Sequence, residues 1–552
     1  MIQIITLKIP DDFDYQVHKP LGAHCFLGSL EDFKKYKQSY LNFGSTINFQ
    51  DQKGINDRSC QYSKYFIHKA TPELNKINKT SYSERFFEIL LYPFLINIFN
   101  IILYQKSHIQ KIIELHKDVD IEIVGIDPNH NYEFHDSYNY HLNGTFNPEF
   151  HSWIAMKLVK LYFKDIKILH CLKPQNNFKS NPQIQKQPFM HINGGLTGTG
   201  WLSKLLLNLV LSCKQSSRFN KNNCKYDLIE PKKVDKGLFE MVFELFPEST
   251  KKINYYINDK QKTYIKKFIL GSESLYHDDY VKINVADKIE KGARLIGYQH
   301  GGVNYGFGSS NLNTALIEYY PSTIFITWGW KEQAEYQGNF IPLPSPYLSK
   351  AAGAKKNKTN KIIFAGCRMV LLPNKFDSQP NPEKLIKYWN WKLDLLKKLH
   401  KTGLDNLIVK PYPQSPNEIP ERKLLSMQFP KLQFSHENLE SLIKKSALYL
   451  TDYPGTPFVF SMAGNIPTVC FWDNENFPFN LSAKRSLQTL KECKIYHTNP
   501  RSAAEHLNTI GSDIMDWWME KNVQEARKDF AHQYARTSRT WYVDWIKFIV
   551  RL

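Results

Sequence analysis

With 552 residues the chain is too long for one ordinary hydrophobic core, and two large domains are expected. An apolar content of 42%, with 35 Phe, 31 Tyr and 11 Trp, excludes an intrinsically disordered protein. The net charge of +19 fits phosphate-bearing substrates or an anionic membrane surface, but the lysines are scattered without a basic stripe or RNA-binding signature, so nucleic acid is not expected as a partner.

Met1–Ile9 reads as a first strand and Leu21–Gly28 as a second apolar piece, with a polar-faced helix over 31–44. Leu74 to Lys117 is helical in period, with Ser83 placed to cap at Glu84-Arg85. Within it, Phe86–Tyr104 is nearly long enough to span a bilayer. Glu88, Pro93, Asn97 and Asn100 interrupt the run, so the expectation is a core helix pair broken at Pro93, with peripheral contact at the inner membrane face as the rival. Asp120–Ile126 alternates like a strand, Asn147–Phe163 is helical, and Lys173–Gln187 is a loop by composition. The run His191–Gly200 lacks the Gly-Lys-Ser/Thr ending of a phosphate loop and reads as a substrate-side loop before an amphipathic helix through Val210. Phe239–Phe246, Ile253–Phe268 and Asp279–Lys291 read as helices.

Arg294–Tyr298 is a short apolar strand that stops at Gln299-His300-Gly301-Gly302. Glycine there lets a ligand approach the backbone, and a strand terminus is where open α/β sheets place ligands. An imidazole that titrates near neutrality can take an acceptor proton. His300 is therefore the candidate catalytic group, with Tyr305 nearby and Glu318 either orienting it or acting as the base. The bland alternative is a histidine donating to a backbone carbonyl and a glutamate on a helix surface.

Composition turns to Pro, Gly, Asn and Lys around 343–361, which places a domain boundary there. Beyond it, strands at Lys361–Gly366, Asn406–Lys410, Leu432–Phe434, Leu448–Leu450 and Pro467–Phe471 alternate with helices, the pattern of a parallel Rossmann-like sheet. Thr451-Asp452-Tyr453-Pro454-Gly455-Thr456 joins a strand end, a turn and a helix start, which makes an anion site; otherwise Asp452 or Thr456 only caps the helix. Arg368 and Lys410 end strands at the same sheet edge and can hold a phosphate leaving group, or they are ordinary surface cations. Asp473 receives a ribose hydroxyl or starts a turn. Ile514–Leu552 is a Trp-rich helical tail expected to return across the first domain.

Eight cysteines without Cys-x-x-Cys pairing argue against a zinc site and a disulfide framework; Cys25, Cys367 and Cys470 read as buried thiols. Neither a metal ligand set nor a resident cofactor is expected from the spacing of acidic residues and histidines. With no basic stretch and cleavage site after Met1, a secretory signal is not expected, and a cytoplasmic location fits both facts.

Several of these stretches together resemble one family. Leu74-Asn75, Arg85, Tyr92-Pro93, the span Tyr276–Gly306, Glu318, Thr327-Trp328-Gly329-Trp330, Thr451–Thr456, Asn465-Ile466-Pro467-Thr468, Phe471-Trp472-Asp473, Trp517-Trp518 and Gln524–Arg527 are similar to transferases encoded in surface-polysaccharide loci, often beside genes for sialic-acid-like (nonulosonic) sugars. The resemblance implies a GT-B-like fold: two Rossmann-like domains, an acceptor side over 1–345 and a nucleotide side over 355–513, with the tail over 514–552. It implies a metal-independent glycosyltransferase that moves a sugar, a nonulosonic acid from a CMP-linked donor in the first instance, to a surface polysaccharide or lipid-linked acceptor. A CDP-polyol-type polyol-phosphate transferase and a non-catalytic polyanion- or membrane-binding protein are the rivals.

Overall fold

The computed structural model describes residues 1–26, 34–35, 49–174, 230–257, 268–271, 274–302, 304–308, 312–332, 336, 338–352, 359–373, 382–413 and 418–552. The helix expected over 31–44, most of the loop over 173–187, the run His191–Gly200 and the helix after it lie outside them. The chain is α/β and its sheets are parallel. A first sheet holds β1 (Ile2–Ile5), β2 (His18–Pro20), β3 (Ile121–Ile126) and β4 (Lys167–Leu172) in the order β2-β1-β3-β4. A second runs in sequence through β5 (Phe268–Gly271), β6 (Arg294–Tyr298), β7 (Ser322–Thr327) and β8 (Phe340–Pro342).

The third sheet contains β9 (Ile362–Ala365), β10 (Leu407–Lys410), β11 (Gln433–Phe434), β12 (Leu448–Thr451), β13 (Thr468–Phe471) and β14 (Tyr496–His497). Its order, β11-β10-β9-β12-β13-β14, is the doubly wound order 3-2-1-4-5-6. Strands of such a sheet are covered on both faces, which is why β9, β12 and β13 are buried at every residue. The order reverses between β9 and β12, so the carboxyl ends at Gly366 and Asp452 flank the switch point, where a crevice opens.

Two long helices, α1 (Phe49–Asn78) and α2 (Glu84–Leu115), meet at a turn where Lys79 takes φ 54°. The break expected at Pro93 is absent: α2 runs through it. A proline inside a helix costs about 3 kcal/mol, whereas each large side chain buried gains roughly 1.5–3 kcal/mol. Phe86, Phe87, Leu90, Leu91, Phe94 and Leu95 surround the proline and are all buried, so packing wins. This helix is long and apolar enough to cross a membrane, but 83% of its apolar window is buried inside the protein. Ser83 is its N-cap by backbone geometry, yet its hydroxyl makes no cap bond and instead donates to Glu290.

The helix expected over Ile253–Phe268 is also corrected. Its described ends are a short helix, Ile253–Tyr256, and the strand β5, which pairs with β6 from Phe268 onward. The tail forms a short helix (Ile514–Met519), α3 (Lys521–Tyr534) and α4 (Trp541–Arg551). In α4, Trp545 and Ile549 pack with Leu552 on Ile296, Tyr298, Ile324 and Ile326 of β6 and β7, and the Trp545 indole donates to Pro344 O at 2.9 Å.

Candidate functional site

At the end of β6 the Gln299 amide ties the loop down. Its Oε1 accepts from Trp328 N at 2.9 Å and from the Trp330 indole at 2.8 Å, and its Nε2 donates to Gly301 O at 2.8 Å. Gln299 is buried and shapes the loop, and with His300 it borders a small space beside it. Held this way, His300 Nε2 sits 2.7 Å from Tyr305 Oη and 3.4 Å from Glu318 Oε1. Tyr305 donates to Glu318 Oε1 at 2.7 Å, and Tyr276, from the short helix Ser274–His277, donates to the same oxygen at 2.6 Å. Glu318, 1% exposed on the π-helical turn Ala315–Tyr319, thus gathers two phenols and an imidazole, while its buried Oε2 has no hydrogen-bond partner among the described residues.

Burial, reinforced by the Glu318 charge, pushes the Tyr305 phenol well above its ordinary pKa, so it stays protonated and a donor. Its one proton goes to Glu318. His300 Nε2 therefore carries the hydrogen toward Tyr305, and in the neutral ring Nδ1 holds the lone pair.

The loops of the second and third sheets touch. A Cβ on Gly302 would lie 2.8 Å from Gly455 C and 3.0 Å from Thr456 N, and one on Gly301 would lie 3.6 Å from Thr456 Oγ1. The structure therefore brings the His300 loop and the 451–456 turn together, although by direct packing at this point and not across open space.

The crevice opens beside that contact. A cavity of about 560 Å³ is bounded on one side by Asn97, Asn100, Ser137, Tyr140, Tyr276 and Asn304, and on the other by Gly366, Cys367, Arg368, Tyr412, Tyr453 and Pro457. Of the expected residues only Arg368 lines it. Its Nε pairs with buried Glu418, and its guanidinium lies 4.8 Å from the Phe146 ring centroid and 6.0 Å from that of Tyr412. His300 borders a separate, water-sized space of about 10 Å³, so Tyr276 is the member of the Glu318 cluster that faces the large cavity.

Other expected ligands are placed differently. Asp452 is buried, accepts from Tyr388 Oη at 2.6 Å and stands 3.4 Å from Lys392 Nζ. Thr451 is buried, and its hydroxyl closes the turn through Tyr453 O and N. Asp473 pairs with Lys387 at 2.6 Å and accepts from Glu475 N, a turn role. Lys410 ends β10 half-buried, away from the cavity lining. Gly455 caps the helix α5 (Thr456–Ala463), with no side-chain cap bond. Pro457 has no N–H and those of Phe458 and Val459 donate to Gly455 O, so it is the helix dipole and the amide of Thr456 that favour an anion here.

Two residues that sequence reading passed over matter here. Lys392, 1% exposed, pairs with Glu421 and Asp452 directly behind Gly366. Burial alone would lower its pKa, but the two carboxylates outweigh that and raise it. Its signal was a lysine on the apolar face of helix Leu385–Lys398, one turn from Trp389 and Leu396. Tyr276 opens the span Tyr276–Gly306 that carries the family resemblance, but its type and spacing pointed to no role of its own.

Among the described residues no group of three His, Cys, Asp or Glu is placed to hold a metal. Cys25, Cys367 and Cys470 are buried, as expected, and burial pushes the Cys25 thiol up to about 12. No curated protein matches the chain. A family model described as LIC12162 family transferase matches residues 3–227 and 210–549, nearly the whole length. The chain belongs to that family and is a transferase.

Proposed function

We propose that the protein is a GT-B-type glycosyltransferase, divided as 1–345, 355–513 and 514–552, that moves a sugar from a nucleotide donor to a polysaccharide or lipid-linked acceptor. The observation that carries this reading is the 560 Å³ cavity. It lies at the switch point of a 3-2-1-4-5-6 sheet, with a guanidinium and an uncapped helix start on one side and a phenol–carboxylate–imidazole cluster on the other.

In this mechanism the donor phosphate lies between Arg368 and the first turn of α5, where fixed dipoles and a cation stabilise the charge that grows as the glycosidic bond breaks. The acceptor hydroxyl approaches Tyr276. Its proton passes to the Tyr276 oxygen as that phenol hands its own to Glu318, and His300 and Tyr305 hold the Glu318 carboxylate in place. Tyr276 is the catalytic group by contact; His300, Tyr305 and Glu318 act through it. The donor that the family resemblance favours is a CMP-linked nonulosonic acid, used at the cytoplasmic face without a bound metal.

Titration calorimetry with CMP-sugars, UDP-sugars and CDP-polyols tests this. A CMP- or UDP-sugar that binds the wild type and is weakened at least tenfold in R368A supports the reading. Binding of CDP-polyols alone replaces it with polyol-phosphate transfer, and absence of nucleotide binding overturns it.

A further inference from the structure

A second cavity, of about 520 Å³, shares no lining residue with the first. Its walls come from the crossing segment Pro342–Pro344, from Ala463 at the end of α5, from α3 and its following linker, and from the start of α4. Four nitrogen-bearing side chains face it, Arg527, Lys528, His532 and Arg536, against one carboxylate, Asp544.

Arg527 makes this more than a solvated surface. It is 9% exposed and lines the cavity; Nη1 donates to Met462 O at 3.1 Å, and among the described residues no carboxylate pairs with it. A largely buried guanidinium on a cavity wall without a carboxylate partner favours an anion there. Arg536 is fixed just as firmly: its N–H donates to Trp328 O and its carbonyl accepts from Ser345 N, both at 2.8 Å, and its Nη2 lies 3.3 Å from His532 Nε2. Lys528 is exposed at the rim and free to swing onto a ligand. Burial lowers the Arg527 pKa, as expected of a cation taken out of water.

We propose that this cavity is a binding site for a phosphate group, supplied as free phosphate or as the phosphate of a lipid head group, gripped by Arg527, Arg536 and Lys528. The space takes a phosphate with its first waters, each needing about 30 Å³. Because Trp328 and Gln299 share the hydrogen bond that fixes the His300 loop, and Arg536 holds Trp328 from the other side, an occupied site stiffens the support of that loop.

The test uses the full chain with R368Q as background, so that the first cavity cannot supply the signal. Calorimetry with inorganic phosphate should show saturable 1:1 binding to R368Q, weakened at least tenfold in R368Q/K528Q/R536Q and retained within threefold in R368Q/K528R/R536K. Unchanged affinity in the glutamine variant, or no saturable binding to R368Q, overturns the proposal; if the glutamine variant melts early, loss of binding in a folded K528Q/R368Q chain decides. Flotation with phosphatidylglycerol or phosphatidylcholine vesicles separates the sources. Retention by the former alone, lost with K528Q/R536Q, identifies a lipid head group, and phosphate binding without retention identifies the free ion.

Discussion

Replacing Lys392 by Met removes a cation that is 1% exposed and faces two carboxylates, Glu421 and Asp452, of which 8% and 3% of the side chain is exposed. The wild-type triad balances one positive charge against two negative ones. The variant leaves two carboxylates in the same low-dielectric space. Removing one partner of a buried pair costs about 3–5 kcal/mol, and K392M should lose that much at pH 7 to 8 in urea unfolding, chosen because guanidinium would screen the charges. Burial already holds Asp452 and Glu421 above their ordinary pKa against the opposing pull of Lys392; without that pull both rise further. A carboxyl raised in the folded state stabilises below its unfolded pKa, about 4, and that contribution is lost as pH rises through the folded value. The K392M deficit should therefore be small near pH 4 and grow toward pH 7. E421Q added to K392M should recover part of it. A loss below about 1 kcal/mol, or one that does not change with pH, would refute the view that this charge cluster is buried and coupled.

Gly302→Ala should nearly abolish transfer, because its Cβ would meet the Gly455 backbone at 2.8 Å, whereas Gly301→Ala, with neighbours at 3.5 and 3.6 Å, should keep activity within a few-fold; steady-state rates of the two compare them directly. Tyr305→Phe should lower kcat roughly tenfold or more with KM little changed. It removes the phenol that donates to Glu318 Oε1 and contacts His300 Nε2, so the carboxylate that Tyr276 works through loses one of its fixed partners. Lys282→Met strands Asp279, which is 1% exposed at the side chain and 2.7 Å from Lys282 Nζ, and should cost about 3–5 kcal/mol in urea unfolding, whereas the double variant with Asp279→Leu should recover most of that.

What could be read in advance follows from the range of the forces involved. Between residues 361 and 471 the strands were legible to within a residue or two, because a doubly covered parallel strand needs an unbroken apolar run and the helices between are long enough to show their period. His300 and the 451–456 turn were legible as strand ends, and the structure sets their loops in contact. Side-chain roles were not legible. Asp452 reads as a ligand at a helix start, and only the fold sets Lys392, sixty residues earlier, beside it; Gln299 reads as a cleft residue, and only the fold brings up the two tryptophans about thirty residues later that donate to its oxygen. Pro93 misled for the same reason: a local rule against proline was outweighed by burial supplied from distant segments. Arg527 carries part of the family resemblance in Gln524–Arg527, but the cavity itself was not legible, since its cations come from a helix and a linker whose period alone reads as a solvated face.

The two buried charge clusters argue for where precision is needed. Lys282 sits at 0% exposure, donating to Leu90 O at 3.0 Å and Ser137 Oγ at 2.8 Å, while Asp279 accepts from Ser137 N. Ser137 lines the large cavity from one side. Lys392 and Asp452 crowd behind Gly366, where a Cβ would strike both, and Gly366 lines the cavity from the other side. Burying an ion costs several kcal/mol that pairing only partly returns, and apolar replacements are often as stable. Stability alone therefore does not explain a charged cluster behind each wall. Directional hydrogen bonds do: they fix Ser137 on one wall and the Cys367–Arg368 backbone on the other to within a fraction of an ångström, which apolar packing does less strictly. A site that transfers a group between two bound molecules gains rate from that fixed geometry, and the charges lie where such geometry would be used.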